Sequence, residues 1–266
     1  MTPQTLRLRK FSLGKDQLAK LTDVERDLFF LSGHILNELN SLNKVFGWCL
    51  RSGGEDESQI SRVAQGMQSM IYARILAGKL WEAWEALRST WFSSKPSPAL
   101  VHGLHPDSQA ALSALKAYFS HSNLIFAVRN SFAFHYSAGK LTEHWEHVAH
   151  GDDLQIILGG TIGNNIDLAA ETVANVALFK AAHPTDLESG MSAFLNDVQS
   201  VAGHFTTFLE GVTLVFLKEI LGDHFAEQAS EEDVTVNQSF SEVRIPYFCA
   251  PDEEKDASLV SKGERS

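Results

Sequence analysis

The sequence predicts an all-α protein: a bundle of long amphipathic helices with a small inserted β-hairpin and an acidic C-terminal tail. Three observations predict it. Apolar residues recur at steps of three and four over stretches far longer than a strand. Only 7 prolines interrupt 266 residues, so helices of many turns are allowed. One short region, 153–169, leaves the helical spacing for apolar pieces around glycines and asparagines.

The elements follow in order. Leu18, Leu21, Leu28, Leu31, Ile35, Leu39, Leu42, Phe46 and Cys49 form one buried stripe. Gly53-Gly54 ends that helix, and Ser58 and Ser61 stand at the start of the next. Val63, Met67, Met70, Leu76, Leu80, Trp84 and Trp91 mark the second long helix, which Lys95-Pro-Ser-Pro breaks. A third helix opens near Pro106-Asp107-Ser108 and carries Leu112, Leu115, Tyr118 and Phe119. It continues past a kink near His121-Ser122-Asn123 through Leu124, Ile125 and Val128, and Gly139 closes the region. Leu141, Trp145 and Val148 mark a shorter helix ended by Gly151. The hairpin follows, with Asp153 to Thr161 as one strand, Ile162-Gly-Asn-Asn as turn, and Ile166 opening the return. A helix covers Glu171 to Ala182, Pro184 stops it, and a last long helix runs from about Asp186 to Leu221. The chain shows no internal repeat.

This gives a helical domain over residues 1–222, with its hairpin near 153–169, and an acidic, partly disordered tail over 223–266. Short extended pieces are expected at Val234 to Phe240 and Val243 to Phe248. From Asp252 onward the composition predicts a mobile end.

Net charge is −11, of which the last 44 residues carry −7 and the remainder −4. A body of that sign excludes a broad, non-specific nucleic-acid surface, though not a small local basic site. Cys49 and Cys249 stand far apart with no CxxC or Cys/His cluster, which argues against a disulfide framework or structural zinc. No leader-length apolar segment opens the chain. The richest apolar run, Phe205 to Leu221, is broken by Glu210, Lys218 and Glu219, so no membrane span is expected. A cytoplasmic protein is the resulting expectation.

Residues 127–137 read AVRNSFAFHYS. They set a guanidinium, an amide, an imidazole and a phenol inside an apolar stretch. On one straight helix Arg129 and His135 would lie about 120° apart around the axis and about 9 Å apart along it. They would not share a face. For the two to act together the helix must end between them, or two chains must meet.

The stretch resembles the HEPN superfamily, small helical bundles of which many are metal-independent ribonucleases. Its hallmark is an arginine, four to six further residues, then a histidine, with a polar residue often following the arginine. Arg129, Asn130 and His135 match, with five residues between Arg129 and His135. The resemblance spans Leu18 to His150; the hairpin and last long helix fall outside the minimal pattern. It implies a homodimer in which two motif helices form one composite site, RNA as substrate, and no cofactor. Arg129 and His135 would be catalytic, with Asn130 and Tyr136 supporting. It also implies a setting in defence or a toxin system, with an antitoxin or other partner protein.

The chemistry is coherent without metal. A neighbouring 2′-hydroxyl serves as nucleophile, an imidazole moves the proton, and a guanidinium fork steadies charge on the phosphorane oxygens. The plain alternative is a salt-bridged Arg129 and a satisfied histidine at a helix end. A non-catalytic helical dimerisation or interaction module would then be the function.

Other candidates are weaker. His144 and His147, with Glu143, are a weak metal-ligand set, but the run lacks the HExxH arrangement and the paired Glu-x-x-His helices of a di-iron bundle. A solvated helix face beside Trp145 is the better reading. Gly159-Gly160-Thr-Ile-Gly163 lacks the Lys-Ser/Thr of a phosphate-binding loop and reads as a hairpin turn. Trp81, Trp84, Trp91 and Trp145 suit core or dimer contacts better than ligand stacking.

Overall fold

A computed structural model describes residues 4–50, 57–133, 143–149, 154–161 and 163–250. The expectations for His135, Tyr136, Gly139 and Leu141, and for the end beyond Asp252, fall outside the described residues. In chain order the elements are β1 (Gln4–Lys10), α1 (Lys15–Leu18), α2 (Asp23–Cys49), α3 (Gln59–Ala86), α4 (Ser97–His102), α5 (Pro106–Phe119) and α6 (Leu124–Val128). There follow β2 (Ile156–Ile157), β3 (Ile166–Asp167), α7 (Leu168–Ala182), α8 (Leu187–Leu221) and β4 (Ser230–Val236). The protein is mostly helical with two small two-stranded sheets, in line with the expected class.

Side-chain caps set most helix starts. The Thr22 hydroxyl accepts from the Glu25 amide while the Glu25 carboxylate accepts from the Thr22 amide, a reciprocal cap. Ser58, Asn123, Asp167 and Asp186 each accept from an amide two or three residues on. Gly222, at φ +89°, stops α8 in a left-handed conformation that suits glycine.

The long helix α8 is the axis of the bundle, packing against α2, α5 and α7 and, less extensively, α3, α4 and α6. Its Phe194, Phe205, Phe208 and Phe216 are fully buried. Edge-on ring contacts join Phe208 to Trp91 at 5.8 Å and Phe205 to Phe119 at 6.2 Å. By length and composition α8 reaches what a bilayer crossing needs, contrary to the expectation that no run would. Half of its most apolar stretch is buried inside the fold, so that apolarity is engaged in core packing.

Two helices end in widened turns that the sequence did not signal. α3 passes into π geometry over Leu87–Trp91, and α6 does so over Arg129–Ala133. The expected kink near His121 is a full break, because Ser120 ends one helix and Asn123 caps the next. The Lys95-Pro-Ser-Pro interruption holds a short helix, α4, opened by Pro96 and Pro98. The shorter helix expected around Trp145 is a 3₁₀ turn over Trp145–His147. The hairpin is present: Ile156 pairs with Asp167 and Ile157 with Ile166.

The segment after α8 does more than trail away. β4 pairs antiparallel with β1, Gln4 opposite Val236 and Lys10 opposite Ser230. Beyond it, the Phe240 ring lies 5.9 Å from that of Trp48. Gln65 Nε2 donates to the Ile245 carbonyl at 2.7 Å, and Asn164 and Cys249 exchange two hydrogen bonds. The chain up to Ala250 therefore returns along α2, α3 and the hairpin loop.

Candidate functional site

Arg129 is the first residue of the π turn that continues α6, and it lies beside α3. The break at Asn123 sets the direction of this segment, and buried Ile125 and Val128 fasten it to the core. The turn then holds the guanidinium at the surface, about 30% exposed. Its Nε donates to Glu82 Oε1 of α3 at 2.8 Å, and its Nη1 donates to Asn130 Oδ1 at 2.9 Å. Asn130, a supporting residue of the expected motif, thus accepts from the arginine. Glu82 is the residue that sequence reasoning missed. It is 47 positions away, and no motif joins it to Arg129.

Aromatic rings flank this group. Phe126, one helical turn before Arg129, is exposed, and its ring lies 4.6 Å from that of Trp81, the neighbour of Glu82. Trp81 also meets Phe119, on which Trp84 stacks at 4.7 Å. The four rings thus run from buried Trp84 to exposed Phe126. A cation fixed beside an exposed ring can meet both a phosphate and a base face.

His144 and His147 lie on the 3₁₀ turn and its lead-in, with ring centroids 5.9 Å apart. His144 Nδ1 is buried without a hydrogen-bond partner among the described residues. Among those residues no group of three or more His, Cys, Asp or Glu gathers as a metal-holding set. Trp145 is exposed, Trp84 and Trp91 lie in the core, and Gly159, Gly160 and Gly163 lie between the two hairpin strands, with the Gly159 amide donating to Asn165 Oδ1.

Cys49 and Cys249 are both free thiols. Burial pushes the Cys49 thiol up from its ordinary value, which removes it from the reactive thiolates.

Fold and site together define a mostly helical bundle protein with a part-exposed, carboxylate-anchored arginine at its surface. The chain matches no protein-family model, no curated protein and no solved structure.

Proposed function

We infer that the chain is a metal-independent endoribonuclease of HEPN type, acting through Arg129 and His135 in a site completed by a second copy. The observation that supports this reading most is the Arg129 guanidinium, oriented by Glu82 and Asn130, with the exposed Phe126 one helical turn before it in the chain. In the reaction the 2′-hydroxyl oxygen attacks the adjacent phosphorus. His135 takes the hydroxyl proton or supplies one to the departing 5′-oxygen. Arg129 offers forked donors to the phosphorane oxygens, and Phe126 offers a face for a base.

One observation favours a second reading. Glu82 already neutralises Arg129, and a phosphate must compete with that carboxylate. A non-catalytic dimerisation or interaction module would use the same ion pair only to hold α6 on α3.

The test is cleavage of mixed-sequence RNA in EDTA by wild type, Arg129→Ala and His135→Ala, with melting curves for each. Loss of roughly 10²-fold or more in either folded variant is expected. Deoxyribose at the scissile position should stop cleavage. No cleavage by a dimeric wild type, with Arg129→Ala merely less stable, would select the interaction module.

A further inference from the structure

A second feature lies apart from Arg129. Where the C-terminal end of α2, the first half of α3, the middle of α7 and the start of α8 converge, they leave a groove of about 650 Å³. That volume suits one small organic molecule. Its walls are apolar and soft. Every methionine of the chain except Met1 lies on it: Met67, Met70 and Met191. Unbranched thioether side chains reshape around a guest at little cost. Leu50, Val63, Leu187 and Met191 form its rim, each more than a third exposed.

One detail in the groove points to a guest, Asn175 of α7, about 94% buried. Among the described residues its Nδ2 donates only to the Met67 sulfur, at 3.2 Å, a weak acceptor. Its Oδ1 is buried with no partner among the described residues. An amide so placed is a costly thing to leave unmet. Gly66, in the interior of α3, also lines the groove; it is exposed, and a Cβ there would meet nothing within 4 Å, so a larger side chain can be placed at this point of the wall.

We propose that this groove binds a small, neutral, largely apolar molecule carrying one N–H or O–H donor, which bonds Asn175 Oδ1 when the flexible Met67 side chain gives way. Charge favours the neutral class. Arg62 and Glu188 stand on the groove with opposite signs, and Arg62 already donates to the Glu57 carbonyl. The buried amide favours a hydroxyl or N–H over an ion, which would lose its hydration there.

The experiment uses the full chain and two fluorescent probes of nearly the same shape, N-phenyl-1-naphthylamine and its N-methyl derivative. The first carries the donor and the second lacks it. Wild type should bind the N–H probe saturably at one site, and roughly two- to tenfold more tightly than the N-methyl probe. Asn175→Leu should abolish that preference while retaining both probes. Gly66→Leu, which places side chain in the open space, should remove binding of both, and its melting curve should show it folded. No saturable binding by wild type would overturn the site. So would binding that persists unchanged in folded Gly66→Leu, as for a probe held elsewhere. Equal affinity of wild type for the two probes would overturn the donor assignment, and a peptide or a segment of the chain itself would then be the better occupant.

Discussion

Arg74 lies on α3, only 7% exposed, and its guanidinium donates to Glu171 of α7 at 2.6 Å. Breaking a buried pair leaves one charge uncompensated, which costs far more than the pair contributes. Arg74→Ala should therefore lower unfolding stability by roughly 3 kcal/mol in urea titration. Replacing both partners, Arg74→Met with Glu171→Leu, should recover most of that loss. At Asp186 the effect is one of pH. Hydrogen bonds from the Ser189 hydroxyl and backbone and from the Glu188 amide hold its carboxyl below the usual carboxylate value. A depressed carboxylate contributes stability above its unfolded pKa of about 3.9 and loses it as pH falls through the lower folded value. The urea midpoints of wild type and Asp186→Asn should accordingly differ at pH 6 and converge below about pH 4. Residue identity made Asp186 legible as a helix start. It did not make Arg74 legible, because its partner is 97 positions distant and on another helix.

Among the elements, helix contacts turn on small residues. A Cβ at Gly190 of α8 would overlap the Phe179 carbonyl of α7, and backbone cannot swing aside as a side chain can. Gly203, also in α8, faces open space. Gly190→Ala should cost roughly 1–3 kcal/mol from overpacking, whereas Gly203→Ala should add up to about 1 kcal/mol through helix propensity. Thermal melting of the two variants separates the effects. The long helices were legible because each carries its own signal. A stripe such as Leu28, Ile35, Leu39 and Phe46 is buried as its spacing implies, and caps such as Ser58 and Asp186 stand beside it. The π turns were not, since Leu87–Trp91 and Arg129–Ala133 have ordinary helical composition and widen under tertiary packing. In the same way Arg129 and Asn130 were visible as candidates, while Glu82, which fixes their geometry, was not.

At the scale of the whole molecule the β1–β4 ribbon is the least legible part. Its strands lie more than 200 positions apart, and no residue of β1 is buried. The usual alternation that marks a half-buried strand has nothing to act on. Arg7 bonds Asp233 at 3.2 Å and Lys10 lies 3.7 Å from Glu232, both exposed pairs of small value. Removing residues 1–10 should therefore leave the helical circular-dichroism signal intact and lower the melting temperature by only a few degrees, since a lone two-stranded ribbon is marginal. The basic β1 also accounts for part of the acidic segment, as Asp233 and Glu231 stand opposite Arg7 and Arg9 in the register and Glu232 pairs with Lys10. The distance between these strands along the chain has a further consequence for the order of assembly. The helices draw on neighbours a few residues away and can form early, whereas closing more than 200 residues into one ribbon is entropically expensive for an unfolded chain. Once α2 and α8 have packed, their ends already stand close, and little of that expense is left. The ribbon is thus the last piece to zip and the first to open, a reporter of bundle completion rather than a contributor to it.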